Sequence, residues 1–253
     1  MPKLTLLEIV KDVLNDLDSD DVNSVDDTIE ATQVANIVRS CFYEMISNRN
    51  WPHTQKLIQL EHSGNLALPT HLQVPENLKE LTFFKYESHK TGDANEVFMQ
   101  EVKYKYPDDF LRYTSNRTTS NPNVEVITDV SGTKLLILNN SAPMFWTSFD
   151  DRYIVCDSYD KTLDSTLKKS KTQALAYLDP EFFLVDDFVP DLPTDAFAAL
   201  VEEAKSTASF KLKQMADQKS EQKANRQQRW LARKAWRTHG GVRYHSYGRK
   251  DRK

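Results

Sequence analysis

Asn48-Arg49-Asn50-Trp51-Pro52-His53-Thr54 is the stretch at which the hydrophobic pattern of this chain changes. Upstream of it, apolar residues recur every three or four positions, which is the spacing of an amphipathic helix. Trp51-Pro52 ends that helix, because the residue before a proline is driven out of the helical region. Downstream, apolar and polar residues alternate, which is typical of half-buried strands. We therefore predict an α+β fold in which N-terminal helices precede a β-rich middle.

Two helices are predicted before this stretch. Thr5-x-x-Glu8 is a capping box, and the apolar residues that follow at helical spacing predict a first helix over 5–18. Ser24, with an acidic residue three positions later, resembles a second cap and opens a predicted helix over 25–49. Each helix has one apolar face that needs a partner. We expect the two helices to pack as a hairpin against the rest of the body.

The middle of the chain, over 54–160, is predicted to be rich in strands. Asp129-Val130-Ser131-Gly132-Thr133 is a hairpin signal, because Gly132 can adopt a positive φ at no steric cost. Pro107 opens a predicted short helix, 114–123 is a predicted surface loop, and 165–178 is compatible with either helix or strand. The predicted strands are 55–60, 80–86, 97–104, 124–129, 134–138 and 152–156.

The longest helical pattern begins at 194, where Thr194 or Asp195 provides a cap. An apolar face continues to Met215, whereas 217–229 contains a single apolar residue among good helix formers. We predict one helix over 197–236, about 60 Å long, with a second half that is polar on every side and bridges to another body. The predicted division is a body over 1–216 and a helical bridge with an extended basic arm over 217–253.

Composition limits the class of protein. The 253 residues, 39% of them hydrophobic, are enough for one sizeable core. No stretch resembles a signal peptide or reaches the roughly 18 apolar residues of a membrane span, so we expect a soluble protein that is not exported. The two cysteines, Cys41 and Cys156, are too few for a disulfide framework and are expected as buried thiols in a reducing compartment.

Charge is distributed unevenly between the two ends of the chain. The formal net charge is -4, yet residues 218–253 contain twelve Lys or Arg and only two acidic residues. Residues 1–30 show the opposite balance, with nine Asp or Glu and two Lys. Opposite charges at the two ends favour contacts between copies of the chain or with a partner.

The basic C-terminal segment also contains large apolar and aromatic residues. Trp230, Leu231, Trp236, Tyr244 and Tyr247 lie among its cations. A tail that serves only solubility has no use for such side chains, whereas apolar anchors surrounded by positive charge are typical of a docking segment. Two alternatives stay open. The segment is a disordered basic tail, or it binds nucleic acid through phosphate contacts and base stacking.

No catalytic motif is present. The P-loop signature, the dinucleotide-binding glycine fingerprint, the His-Glu-x-x-His zinc signature and the Gly-x-Ser-x-Gly elbow are all missing from the sequence. His53, His62 and His71 recur at nine-residue intervals, but we expect solvated or hydrogen-bonded histidines and not metal ligands. The acidic run over 16–21 lacks the glycine and the glutamate that a calcium loop requires, which favours a solvated turn.

Two further patterns have a functional and a structural interpretation. Asp150-Asp151 and Asp186-Asp187 could serve a metal-dependent nuclease, but adjacent strand residues point to opposite faces, so surface or interface charge is favoured. The aromatic residues of the middle could form a base-stacking platform, but alternation along a sheet favours core packing. These aromatic residues are Phe83, Phe84, Tyr86, Tyr104 and Tyr106. We predict no enzyme, no metal site and no cofactor.

Two stretches carry a resemblance to a known family. Val34-Ala35-Asn36-Ile37-Val38-Arg39, followed by Ser47-Asn48-Arg49-Asn50-Trp51, is similar to a helix and an Arg-Gly-Trp turn, with Asn50 in place of the glycine. Leu192-Pro193-Thr194-Asp195-Ala196-Phe197 leads into a long helix. With the order of the predicted parts, these stretches resemble the head-to-tail adaptor proteins of tailed bacteriophages, the tail tubular protein A and head-completion family of short-tailed viruses.

The resemblance implies a structural virion protein. Such adaptors form a dodecameric ring beneath the portal, with the helical body towards the portal and the β-rich loops towards the tail nozzle or tube. The ring connects portal and tail, and DNA passes through it without sequence specificity during ejection. The implied location is the neck of the virion, after assembly in the host cytoplasm and without a membrane.

The same resemblance implies that the C-terminal segment binds the portal protein. The residues of this chain that match the segment are Arg226, Arg229, Trp230, Leu231, Arg233, Lys234, Trp236, Arg237, Arg243, Tyr244, Tyr247 and Arg249. The alternative function is a nucleic-acid-binding or packaging protein that uses the same basic arm.

Overall fold

The computed structural model describes residues 3–89, 97–215, 217–239 and 242–243, with side chains as far as Ala232 apart from that of His89. The fold is α+β, as the sequence predicts, with helices in the N-terminal and C-terminal parts of the chain and strands between them. The helices of the described residues are α1 (Leu6–Asp16), α2 (Ile29–Ser47), α3 (Pro107–Ser115), α4 (Phe197–Lys213) and α5 (Gln218–Arg237).

Most strands are short. They are β1 (Gln55–Ile58), β2 (Glu61–His62), β3 (His71–Gln73), β4 (Leu78–His89), β5 (Val97–Glu101), β6 (Lys103–Tyr104), β7 (Val124–Thr128), β8 (Lys134–Leu138), β9 (Phe145–Thr147), β10 (Tyr153–Cys156), β11 (Thr172–Leu178), β12 (Thr238–His239) and β13 (Val242–Arg243). The six predicted strands are confirmed, although the one predicted over 97–104 is divided into β5 and β6. The ambiguous 165–178 segment contains β11, whereas β2, β3 and β9 were not predicted.

The chain forms two compact units. The helical unit combines the described residues of 1–55 and 179–253, and the β unit comprises those of 56–178. The division therefore falls at the beginning of β1 and the end of β11, and α5 belongs to the same unit as α1, α2 and α4.

Local capping explains where the two N-terminal helices begin. The predicted capping box of α1 is confirmed, because the Glu8 backbone N–H donates to Thr5 Oγ1 at 3.2 Å and the Thr5 N–H donates to the Glu8 carboxylate at 2.8 Å. The predicted cap of α2 at Ser24 is wrong. Thr28 caps this helix by accepting the Ala31 N–H at 3.0 Å, because Asp27 is engaged with the N–H groups of the preceding turn.

The helical unit closes around apolar faces of α1, α2 and α4. Val10, Phe42, Phe197 and Leu200 belong to one buried cluster, and each of the three helices contacts the other two. Burying one such side chain contributes about 1.5–3 kcal/mol. The segment before α4 also joins this core, since the Leu6 N–H donates to the Phe188 carbonyl at 2.7 Å.

The prediction of one continuous helix over 197–236 is wrong. α4 ends at Lys213, Gln214 adopts the left-handed conformation with φ of 55°, and α5 begins at Gln218. A left-handed residue at this position is a common helix stop, and it lets the chain turn back. α5 then packs on α4 as an antiparallel hairpin, so it does not extend about 60 Å away from the body.

The β unit contains two main sheets. The four-stranded sheet has the order β1-β11-β4-β5, and the five-stranded sheet has the order β2-β3-β10-β9-β6. The pairing of β6 with β9 is parallel, whereas β3, β9 and β10 pair antiparallel. Phe84 of the first sheet and Ile154 of the second belong to one buried cluster, together with Phe110 of α3 and Ile137 of β8.

The predicted hairpin between β7 and β8 is confirmed. Gly132 has a φ of 82°, and its N–H donates to the Asp129 carbonyl at 2.8 Å. The Asp129 N–H in turn donates to the Thr133 carbonyl at 2.8 Å. A positive φ is the reason that glycine occupies this position.

Candidate partner-docking surface

The first turn of α5 is fixed by an acidic cap. Asp217 Oδ1 accepts the N–H groups of Lys219 and Ser220 at 3.0 and 3.2 Å, and Oδ2 accepts the Ser220 hydroxyl at 2.7 Å. These hydrogen bonds, with those from Ser220 the strongest, lower the pKa of Asp217 below its ordinary value. A carboxylate here also suits the positive end of the helix dipole.

One narrow face of α5 packs inward. Ser220, Ala224 and Leu231 are at least 95% buried, and their spacing places them on one side of the helix. Polar pairs flank this strip, because Lys223 Nζ lies 2.9 Å from Glu202 and the Gln228 amide donates to Glu203 at 3.5 Å. The strip explains why a helix with so few apolar residues still folds back on α4.

Glu203 occupies an acidic environment beside this contact. Its burial raises the pKa of the carboxyl, and the negative charges of Glu44 and Glu221 raise it further. The amide of Gln228 gives this carboxyl a neutral hydrogen-bond partner. In the α4–α5 contact, the Glu203 carboxyl is therefore hydrogen bonded to a neutral amide and not paired with a cation.

Arg49 connects α5 to the stretch that follows α2. Its Nη2 donates to the Gln228 carbonyl at 3.3 Å, and its guanidinium lies 4.7 Å from the ring centre of Trp51. Trp51 is buried and donates through Nε1 to the Met45 carbonyl at 2.9 Å. Partial burial lowers the pKa of Arg49. The Arg49–Trp51 pair thus supports the middle of α5 from the side of α2.

The opposite face of α5 is exposed and forms a shallow depression. We call it the α5 face and define it by its lining residues, Gln222, Asn225, Arg226, Arg229 and Trp230. Trp230 is 48% exposed. The spacing of these five residues keeps them on one side of the helix, away from Ser220, Ala224 and Leu231. The face has two guanidinium groups, two amides and an indole, and none of the described side chains that line it is acidic.

The structure brings three of the predicted docking residues together on this face, namely Arg226, Arg229 and Trp230. Leu231 requires a correction. It is 4% exposed and packs in the core of its own helical unit, because its position in the helix coincides with the inward strip. It is therefore left out of the α5 face.

For the remaining predicted docking residues, the structure describes at most the backbone. Arg233, Lys234, Trp236 and Arg237 continue the backbone of α5, and Arg243 lies in β13. Their side chains, together with all of Tyr244, Tyr247 and Arg249, lie outside the described part of the chain.

Sequence reasoning did not identify Gln222 and Asn225 as part of a candidate surface. A signal for them was present, because each occurs four residues before an arginine, Gln222 before Arg226 and Asn225 before Arg229, and so shares its helical side. This spacing identifies the outward side of α5 only when the buried side, at Ser220, Ala224 and Leu231, is known. Without the strip, the helix is polar on every side.

The three regularly spaced histidines are hydrogen bonded, as expected. His53 Nε2 lies 2.8 Å from the Asp191 carbonyl, and His62 Nε2 lies 3.0 Å from the Leu68 carbonyl. His71 is fully buried, and its Nε2 lies 2.9 Å from Asp129 Oδ1. Within the described residues, no three His, Cys, Asp or Glu side chains are grouped as a metal site requires.

The acidic candidates have structural contacts. Asp150 Oδ1 accepts the N–H groups of Arg152 and Tyr153 at 3.0 and 3.1 Å, which fixes the turn before β10. Asp186 Oδ1 accepts the Val25 N–H at 2.8 Å. In the acidic run, Asp16 lies 2.8 Å from Lys205. The partners of these carboxylates are backbone N–H groups, the Ser24 hydroxyl and a lysine.

The aromatic residues of the middle divide into two groups. Phe84 and Tyr86 are buried, as expected. The expectation is wrong for Phe83, Tyr104 and Tyr106, which are 38%, 49% and 70% exposed. The Tyr104 ring meets the rings of Tyr106 and Trp146 edge to face, at 5.4 and 4.8 Å. Such tilted contacts suit mutual packing and do not form a parallel platform for bases.

Comparison with known proteins does not assign the chain to a family. No protein-family model matches the chain, and no curated protein matches it. None of the helices in the described residues is both long and apolar enough to cross a bilayer.

Proposed function

We propose that the chain is a structural virion protein, a ring-forming head-to-tail adaptor that connects the portal to the tail and docks to the portal through the α5 face and the C-terminal segment. The observation that carries the proposal is the position of Trp230. It is 48% exposed beside Arg226 and Arg229, on a helix whose other face is packed against its own unit. The proposal assigns no catalytic role and no cofactor.

The chemistry of the α5 face supports a protein partner. Exposed tryptophan is uncommon on a surface without a binding role, and Trp and Arg are the residues most enriched among interface hot spots. The two guanidinium groups suit an acidic partner surface and can bind carboxylates in a bidentate manner. Three further cations, Arg233, Lys234 and Arg237, continue the same helix in the sequence.

The adaptor part of the proposal is supported by the resemblance described above. The two similar stretches and the order of the helical and β-rich parts agree with a short-tailed phage adaptor. On this basis the further partners are other copies of the chain in a ring, a tail nozzle or tube protein, and DNA that passes without sequence specificity.

Portal binding is tested with variants of the full chain. Trp230→Ala and the double charge reversal Arg226→Glu with Arg229→Glu are mixed with the purified portal of the same virus, and binding is followed by co-sedimentation and native mass. Each variant is expected to weaken portal binding by about tenfold or more, because truncation of a hot-spot residue typically costs about 2 kcal/mol or more. Head completion in infected cells should fall in parallel.

The matched controls are exposed residues outside the α5 face. Phe183→Ala removes an aromatic ring that is 53% exposed, and Arg152→Glu reverses an exposed charge in the β unit. Portal binding by these controls should equal that of the wild type. Equal binding by the α5-face variants as well would refute the docking proposal. Point variants are preferred to truncation after Met215, because truncation also removes Leu231 from the core.

Nucleic-acid binding is the second candidate, and one observation favours it. An exposed indole beside two arginines can stack on a base while the guanidinium groups contact phosphates. DNA affinity should then fall steeply from low to moderate salt, and Arg226→Glu with Arg229→Glu should abolish it. Absence of DNA binding at low salt, together with portal binding that Trp230→Ala weakens, separates the two functions.

A further inference from the structure

The β unit contains a cavity that has no part in the proposed docking. Its volume is about 290 Å³, and we call it the β-unit cavity. The wall is formed by the ends of β4 and β5, by the loop over 140–144, and by the segment over 159–171. Four separate parts of the chain therefore converge on one small space.

Hydrogen bonds hold these parts together. Asn140 and Asp160 form an isolated antiparallel bridge, and the Ser141 N–H donates to the Tyr159 carbonyl at 3.4 Å. The Lys168 N–H donates to the Tyr86 hydroxyl at 3.2 Å. These hydrogen bonds shape the wall before any ligand binds, and most binding sites for small molecules are preformed in this way.

Several polar side chains on the wall have no hydrogen bond to another described side chain or backbone group. They are the amides of Gln100 and Asn140 and the hydroxyls of Ser141 and Thr166. Asp160 uses Oδ1 for the N–H and hydroxyl of Thr162, at 2.9 and 2.6 Å. Amides and hydroxyls can both donate and accept hydrogen bonds, so they can pair with a ligand that does the same.

The charges on the wall disfavour an anionic ligand. Among the described residues of the wall, Glu87, Asp160 and Asp164 face a single cation, Lys171. Asp164 is already paired with Lys171 at 2.6 Å and with Lys168. The hydrogen bonds and charges of these lysines hold the pKa of Asp164 below its ordinary value, against the opposing effect of its burial, so this carboxylate stays ionised and paired. A neutral ligand therefore suits the cavity better than a phosphate or a carboxylate.

The wall also has an apolar part, formed by Met144, Leu163 and Leu167. A ligand with hydroxyl groups on its edge and C–H groups on its face would contact both parts. We propose that the β-unit cavity binds one neutral pyranose sugar, with its hydroxyls on Gln100, Asn140, Ser141 and Thr166 and its C–H face on Met144 and Leu163.

The size of the cavity is consistent with a single sugar unit. It lies at the lower end of the volume range of ligand pockets, which suits a hexose of about twelve non-hydrogen atoms and not a longer chain. A ligand of this size with mostly polar contacts is expected to bind with a dissociation constant of about 1 mM. The sugar is either free or the terminal unit of a glycan.

The test is NMR titration of the isotope-labelled full chain with glucose, galactose, mannose and N-acetylglucosamine, each up to about 50 mM, well above the expected dissociation constant. At least one sugar should give saturable shifts confined to 139–144, 159–167 and the ends of β4 and β5. Asn140→Ala and Gln100→Ala should each weaken that binding by about tenfold. Gln173→Ala, an exposed amide outside the cavity, is the matched control and should bind as the wild type does.

Any of the following results would overturn the proposal. The first is the absence of saturable shifts with all four sugars, and the second is unchanged affinity in both Asn140→Ala and Gln100→Ala. The third is equal shifts with glycerol or tighter binding of glucose 6-phosphate than of glucose. If Asn140→Ala alters the spectrum outside the cavity, Thr166→Val replaces it.

The source of the sugar is decided by methyl glycosides. If the methyl pyranoside binds as well as the free sugar, the cavity accepts a terminal glycan unit, whereas binding of the free sugar alone indicates a monosaccharide. Either result supports the proposed chemistry. None of these outcomes depends on whether the α5 face binds a portal.

Discussion

The guanidinium of Arg117 binds one residue, Asp157, in two ways. Nη1 donates to the backbone carbonyl of Asp157 at 2.6 Å, and Nη2 donates to its carboxylate Oδ2 at 2.9 Å. Asp157 is buried, and its other carboxylate oxygen accepts the N–H groups of Met144 and Phe145 at 3.0 and 2.9 Å. The pair thereby joins the end of α3 to β9 and β10.

Removal of this arginine should destabilise the β unit strongly. Arg117→Met leaves a buried carboxylate without its counter-charge, so the free energy of unfolding should fall by about 3 kcal/mol. Urea unfolding followed by circular dichroism measures the change. Arg112→Met removes an exposed arginine from α3 and should change the stability by less than about 0.5 kcal/mol. Similar small effects of both variants would contradict a structural role for the pair.

Acidification should lower the stability of the fold through the buried His71, whose Nε2 lies beside Asp129. Burial lowers the pKa of His71 below its ordinary value of 6.5, although the hydrogen bond and charge of Asp129 oppose this and His62 adds to it. The unfolded chain therefore binds the proton first, and stability should fall as the pH drops below about 6.5. Unfolding free energies measured between about pH 7.5 and pH 5 should show this fall.

The variant His71→Gln keeps a hydrogen-bond donor near Asp129 but does not titrate. Its stability should depend less on pH over the same interval than that of the wild type. His62→Gln, a change at a half-buried histidine, is the control and should leave most of the dependence in place. Identical pH profiles for wild type and His71→Gln would show that another group is responsible.

Loss of the acidic cap should loosen the beginning of α5. Asp217→Ala removes three hydrogen bonds to Lys219 and Ser220, and such caps are typically worth about 1 kcal/mol. Hydrogen exchange at the first-turn amides of α5 should accelerate by about fivefold, which corresponds to that free energy. Lys219→Ala, in the same turn, should exchange as the wild type does. Unchanged protection in Asp217→Ala would mean that packing on α4 alone holds this turn.

The β7–β8 turn should discriminate between residues at position 132. Gly132 has a φ of 82°, and no neighbouring atom lies within 4 Å of an added Cβ. A side chain there would therefore be destabilising only through the strain of a positive φ and not through a steric clash. Gly132→Ala should lower the free energy of unfolding by about 1 kcal/mol. Gly132→Asn should cost less, because asparagine tolerates positive φ. Thermal unfolding of both variants provides the comparison, and equal stability of Gly132→Ala and wild type would contradict it.

Features set by neighbouring residues were predictable from the sequence. The Thr5–Glu8 capping box and the turn at Gly132 depend on groups within a few positions of each other, so the residue types alone indicate the geometry. The strand β8 was predicted with its observed bounds, because its alternation is regular and a turn precedes it. Strands of two or three residues, such as β2 and β9, are too short to show a period.

Features set by tertiary contacts were not predictable. Gln214 has no sequence preference for the left-handed conformation, so the end of α4 could not be read from the residue type. Burial of Ala224 and Leu231 depends on α4 lying opposite them. The candidate site was therefore predicted in part. Arg226, Arg229 and Trp230 are exposed together, whereas the inward position of Leu231 follows from a fold-back that the polar pattern of α5 concealed.

The helical unit is assembled from the two ends of the chain, and this has a consequence for its synthesis. The apolar faces of α1 and α2 leave the ribosome first, yet Phe197 and Leu200, which complete their core, follow roughly 150 residues later. At typical elongation rates the wait is roughly 8–30 s. During that interval the β unit can fold by itself, while the nascent N-terminal helices still expose the surface that α4 will cover.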